Sequence, residues 1–259
     1  KIILDWKQSF AKDILFAALP MDGDFDNSSI GAIRYVYHQP DKSLYHIEIK
    51  GFANMVDRQM SNKNRPKTKM MNAVSKLRSQ TSGGRAELGF KISAQHQILV
   101  GADFKGIEKQ GDREREVFIN PCTEMVMDPP KNVVDAIWQD SKQNDLGVFG
   151  ESQWILSEAW NWNAGVRIDF VSSDIREPAP DFLALYPDLE CAIGLGQRAP
   201  ELIERYINHL TVGMDAYEYV GNPYLEMEQN FQNDLKFKLL KKKLSLEAGL
   251  FYALVKNYI

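Results

Sequence analysis

What this sequence lacks narrows its class before any motif is read. It has two cysteines in 259 residues, Cys122 and Cys191, with no second Cys or His close enough to either to form a zinc or CxxC pattern. It lacks a basic excess: 31 Lys+Arg stand against 35 Asp+Glu, a net charge of −4, which is no footprint of a nucleic-acid binder. No uninterrupted apolar run approaches the ~18 residues of a membrane-spanning helix. The motifs that mark common enzymes are missing too, with no GxSxG, P-loop, HExxH or Rossmann glycine pattern, so the chain is not expected to be an enzyme or to carry a cofactor. The four histidines, His38, His46, His96 and His209, are scattered, and the first three fall at putative turns, where a solvated role is expected.

With 44% hydrophobic and 25% charged residues, the composition is that of a folded chain. It fits a soluble protein or a membrane β-barrel, because alternating strands average to the mean hydropathy of −0.36 and escape a helix search. The pattern that is present has period 2. From Trp160 to Phe170 every even position is apolar and every odd one polar or glycine, an arrangement whose chance at this composition is on the order of 4 × 10⁻⁴ per window. The alternation recurs at Arg85–Ile92, Asp234–Leu239 and Leu244–Tyr252. These are strands with one apolar and one polar face.

The links between strands fall into two classes that alternate. Short ones lie at Gln39–Ser43, Ser93–Gln97, Ser157–Ala159 and Lys241–Lys243; long ones span Arg58–Arg78, Gly106–Asn144 and Arg198–Glu228. In an up-and-down antiparallel sheet this puts every short turn at one rim and every long loop at the other, as in an outer-membrane barrel with periplasmic turns and extracellular loops. Strand parity requires two strands between Asp174 and Gly196, split at Pro187-Asp188. The total is then roughly eleven strands of about the ~9–11 residues that a tilted membrane strand needs. Ala199–Asn208 is the one modest helix. Trp154, Trp160 and Trp162 flank the turn at Ser157, where an interfacial aromatic girdle is expected. The Asp22-Gly23-Asp24-Phe25-Asp26 run lacks the later Gly and Glu of a calcium loop and reads as a charged extracellular segment. The expected fold is all-β: an antiparallel up-and-down transmembrane β-barrel, present as about half a barrel. Competing readings are a passive porin or surface adhesin without a plug, and a soluble β-sheet binding module.

Two segments carry a resemblance. RAPELIERYINHLTVGMDAYEYVGNPYLEMEQN, Arg198 to Asn230, holds an RAP motif and a GNP-x-L-x-x-E motif ahead of a strand, a short turn and a second strand. In this order they resemble TonB-dependent outer-membrane receptors. The prolines at 200 and 223 stop strand pairing where the chain leaves the membrane. The segment from Val56 to Leu88 looks like the copper-receptor subgroup, whose members carry an extracellular methionine-rich loop. The resemblance implies Met60, Met70 and Met71 as soft metal ligands, although Arg58, which cannot ligate, stands where that subgroup has a histidine. A siderophore-type chelate is instead expected to use Arg58, Arg65, Tyr217 and Tyr219. The resemblance further implies an outer-membrane location in a Gram-negative bacterium and energised uptake of a metal ion or metal chelate. Its partners are then the lipid bilayer and, through a plug, the TonB complex, with no nucleic acid. Residues 1–259 are expected to be a partial receptor barrel without plug or final strands.

Overall fold

The computed structural model describes residues 1–259 except 18, 66–69, 121–122, 156–160, 187–191, 196–199, 212–217, 242–243 and 259, with backbone alone at 161, 192–195, 210–211, 229–241 and 244–253. Its strands are β1 (Ile2–Ile14), β2 (Asp22–His38), β3 (Leu44–Ser61), β4 (Met71–Lys91), β5 (His96–Gln110), β6 (Asp112–Ile119), β7 (Val126–Ala136), β8 (Ser141–Ile155), β9 (Asn161–Ile175), β10 (Ala192–Leu195), β11 (Leu210–Thr211), β12 (Glu218–Tyr219), β13 (Gln229–Lys241) and β14 (Leu244–Lys256), with helices α1 (Pro180–Leu185) and α2 (Leu202–Tyr206). One sheet runs β1-β2-β3-β4-β5-β8-β9-β10, every described pairing antiparallel, and does not close among the described residues. β13 and β14 form a hairpin registered from Gln229↔Lys256 to Lys241↔Leu244. The eight strands of the path and these two make ten, near the roughly eleven expected.

Short turns stand as expected between His38 and Leu44 and between Lys91 and His96; those expected at Ser157–Ala159 and within Lys241–Lys243 lie outside the described residues, between strand ends that pair at Ile155↔Asn161 and Lys241↔Leu244. The long links hold more order than the sequence suggested. β3 and β4 run 18 and 21 residues, so Arg58–Ser61 and Met71–Arg78 within Arg58–Arg78 are extended ladder. Inside Gly106–Asn144, β6 and β7 form a hairpin that pairs onto the start of β4, Met71↔Val117 through Ser75↔Arg113. Among the described residues between Asp174 and Gly196, Asp181 to Leu185 lie in α1 rather than in a strand, and β10 pairs with β9; the split expected at Pro187-Asp188 lies outside the described residues. Pro180 at the first helical position, with its fixed φ and missing N–H, favours helix over strand there. The helix expected in Ala199–Asn208 is α2, five residues long, started by a reciprocal Glu201–Glu204 capping box.

Register assigns each side chain to a face. Leu4, Ile33, Ile49, Leu88, Val100, Val148, Val166, Ile168 and Phe170 share one face and all are exposed, Leu4 at 73% and Val166 at 69%. Trp154 lies opposite Trp162 at the short-turn end of this face, while Trp160 lies outside the described residues. Arg34, Glu48, Lys50, Arg85, Glu87, Asp103, Phe149, Arg167 and Asp169 share the other. A continuous exposed apolar band of this extent is tolerated against lipid, not water. The buried apolar cluster is instead at the long-loop rim: Ile175, Ala179, Phe182, Leu202 and Tyr206, with Ile107, Ala136 and Tyr186 packed on it.

Candidate functional site

The polar face carries an ordered ladder of charge. Glu48 and Glu87 stand directly opposite each other, a destabilising like-charge pair that flanking cations offset. Arg34 donates to Glu48 at 2.6 Å and Lys50 pairs with its other oxygen; Arg85 and His46 hold Glu87 at 2.8 and 3.2 Å. Further along, Arg167 makes a two-pronged contact with Asp103, at 2.7 and 2.8 Å, and bonds Asp169. Phe149 is packed between the guanidinium groups of Arg85 and Arg167, at 4.4 and 5.9 Å, and is 8% exposed. Gly101 makes the room, since a Cβ there would stand 2.4 Å from the Phe149 ring. Such a wall binds water or polar protein, not lipid.

At the opposite end the Asp22–Asp26 run meets three cations from β3 and its loop. Asp26 pairs with Arg58, Asp24 with Lys63 at 2.5 Å, and Asp22 with Arg65. Burial acts to raise the Asp24 carboxyl, but hydrogen bonds from Lys63, Gln59 and Ser61 outweigh it and hold the group below its ordinary 3.8. Each aspartate is thus matched to one cation, a use of this run that residue spacing could not show. Arg58 and Arg65, candidate anion holders, spend charge on this rim.

The remaining candidates are spread out. Met60 lies opposite Gly23 and Ser75, partly exposed. Met71 starts β4 four positions from Ser75, so the two backbones are roughly 13 Å apart along the strand at ~3.3 Å per residue. Met70, 39% exposed, precedes it, and its carbonyl accepts from Phe118 and Ile119. Tyr219 is exposed and sits opposite Leu210. Tyr217, Cys122 and Cys191 lie outside the described residues.

A second charged group joins the rim hairpins. Arg113, 8% exposed, bonds Asp135 and Glu218, and Arg115 bonds Asp135 at 2.7 Å. His209 contacts Glu218 through Nδ1 at 2.9 Å and Asp181 through Nε2 at 2.5 Å. Burial works to raise Asp181 and Glu218, yet their partners, His209 with Asn208 for the first and Arg113 with His209 for the second, hold both below the ordinary carboxylate range. A cavity of about 380 Å³, lined by Asp135, Glu177, Asp181, Asn208 and His209, opens beside them.

Residues 6–259 match the family model described as TonB dependent receptor-like, beta-barrel. The chain belongs to the TonB-dependent receptor family. No curated protein matches it. Among solved structures it is similar to one titled Copper transporter OprC, at TM-score 0.64 and 17% identity, covering 92% of this chain and 41% of that one. At this identity the likeness is one of fold, and this chain spans less than half of that transporter's length.

For the receptor wall, this geometry explains the GNP motif noted in the sequence. Arg205 of α2, 4% exposed, donates to the carbonyls of Pro223 at 2.8 Å and Leu225 at 2.6 Å. Gly221 donates to Ile207 and Asn222 to Glu204. A Cβ on Gly221 would stand 2.5 Å from the Arg205 backbone, so only glycine fits. Arg198 and Ala199 lie outside the described residues; Pro200 is fully buried. Among the histidines expected to be solvated, His38 is exposed, while His46 and His96 are partly buried against partners. His46 is half-buried on Glu87, and His96 stacks on Trp154 at 3.7 Å while bonding Ser152. Cross-strand register brought these partners together from 41 and 56 positions apart.

Proposed function

We propose that this chain is the wall and outer-rim portion of an outer-membrane transporter of a Gram-negative bacterium, taking up a scarce metal ion. The observation that supports it is the two-faced sheet, apolar towards lipid and charged on the other side, in a chain of the TonB-dependent receptor family. A plug and the TonB complex would act through parts of the receptor beyond residues 1–259, and the bilayer is the remaining partner. A porin or adhesin without a plug would present the same apolar band, so a plug domain in the full gene product separates the readings. A soluble module would have to cover the apolar band with a second layer, and the described residues contain none.

Within this reading the cargo is a soft metal ion rather than an anionic chelate, because Arg58 and Arg65 are matched by Asp26 and Asp22 and leave the rim with little net positive charge. Met60, Met70 and Met71 are the ligand candidates, thioether sulfur suiting Cu(I). Met60 and Met71 are separated by four ladder positions, so they bind one ion only if their side chains turn towards each other along the strand edge. The test is Cu(I) competition titration of the full receptor and of a variant with all three methionines replaced by Leu. Weakening of ten-fold or more is expected; unchanged affinity overturns the assignment, leaving a chelate held by Arg58, Arg65 and the loop tyrosines at 217 and 219 as the next reading.

A further inference from the structure

The polar face of β2, β3 and β4 bears, beside the short-turn rim, a second group with metal-binding chemistry. One ligand atom each from His46, Glu48 and Glu87 lie within 4.8 Å of one another. Register explains the convergence. Glu48 is opposite Glu87, His46 is opposite Gly89 across a bulge, and His38 is opposite His46. With no side chain on Gly89, the Tyr45 ring and the Cβ of His46 approach β4 closely: a Cβ there would meet them at 2.7 and 2.9 Å. The exposed His38 ring stands edge-on to His46, 6.0 Å between centroids.

We propose that His46, Glu48 and Glu87 bind a borderline divalent cation such as Zn²⁺, with His38 supplying a fourth ligand. Two imidazoles and two carboxylates select this class over Cu(I), which prefers sulfur, and over Mg²⁺, which prefers oxygen alone. A tetrahedral ion with bonds of ~2.0–2.2 Å needs ligand atoms ~3.4 Å apart, so rotamer adjustments of about 1 Å bring His46, Glu48 and Glu87 onto the ion, while the exposed His38 ring turns further to reach it. Metal takes the place of the hydrogen bond that His46 makes with Glu87, and of the ion pairs to Glu48. The cations are the exchangeable half of these pairs: Arg34 and Lys50 on Glu48 and Arg85 on Glu87 are nearly half exposed, at 45%, 45% and 42%, so their flexible side chains turn into solvent as the metal enters. The site is separate from the methionine rim: Met60 lies 14 residues beyond His46 on β3, roughly 46 Å along the strand. The inference therefore stands independently of the cargo.

The test is calorimetric titration of the full receptor in detergent with ZnCl₂, and with MgCl₂ as the hard-ion control. Zinc is expected to bind at least ten-fold tighter than magnesium, and His46→Ala and Glu87→Gln each to weaken it ten-fold or more. His38→Asn should weaken it less, and Arg34→Gln, which frees an oxygen of Glu48, should tighten it several-fold. That gain cannot come from misfolding and keeps the proposal falsifiable if the loss variants fold poorly. Zinc no tighter than magnesium, zinc unaffected by His46→Ala in a folded variant, or no gain in Arg34→Gln overturns the site.

Discussion

Val166→Arg is the substitution that most directly separates lipid from water on the apolar face. Val166 is 69% exposed, and its neighbour Arg167, on the opposite face, is held by Asp103 and Asp169. Strand β9 thus already carries an arginine one position away, and the substitution tests the face rather than the residue type. Apolar residues run from Trp162 to Phe170 on this face. Eight steps at ~3.3 Å, on a strand tilted ~45°, make a band roughly 19 Å high with Val166 at its centre. An arginine at the bilayer midplane of a barrel costs ~2–4 kcal/mol; at an exposed site in water the same change stays within about 0.5 kcal/mol. Reversible guanidinium unfolding of the full receptor in lipid vesicles, followed by tryptophan fluorescence, reads the difference. A loss below about 1 kcal/mol in vesicles refutes the lipid-facing assignment and revives a soluble sheet whose apolar side is covered by another layer.

Two further outcomes follow from the rim. Arg205→Met removes both donors to the Pro223 and Leu225 carbonyls, each charge-assisted bond contributing ~1.5–3 kcal/mol, so the segment after α2 should lose its proteolytic protection while the sheet keeps its own; an unchanged cleavage pattern contradicts the clamp. Acidification tests the carboxylates of Asp24, Asp181 and Glu218, whose ordinary values of 3.8, 3.8 and 4.5 are lowered in the folded chain. A lowered folded value stabilises above the unfolded one and is lost as pH falls through the folded one. Rim order, reported by Trp138, which follows β7 and donates its backbone N–H to the Gly111 carbonyl, with the other tryptophans replaced by Phe, should therefore hold down to about pH 4.5 and decay below it; a transition centred above pH 5 contradicts this.

Legibility differed by the range of the interaction. Period-2 alternation in β9, β13 and β14, together with two-residue to five-residue turns, set strand identity, the lipid-compatible face and the antiparallel order, because each of those depends on neighbours within one hairpin. The error at Asp181–Tyr186 arose from strand parity, a global count, applied to a segment whose own Pro180 favours a helical first turn. Extension of β3 and β4 far past the membrane thickness was not legible, since it depends on the β6–β7 hairpin pairing onto the start of β4.

The sequence by itself determined a two-faced antiparallel sheet, its short-turn rim and its family, all of which are written in spacing and in the GNP motif. Only the tertiary structure decided which charges meet. Asp22, Asp24 and Asp26 look like a free acidic run until β3 sets Arg58, Lys63 and Arg65 against them. His46, Glu48 and Glu87 look unrelated until the β3–β4 register sets them side by side. An ion pair or a metal site needs side chains within a few ångströms, and in a sheet that proximity is fixed by cross-strand register, which links residues dozens of positions apart and leaves no periodic mark in either strand alone.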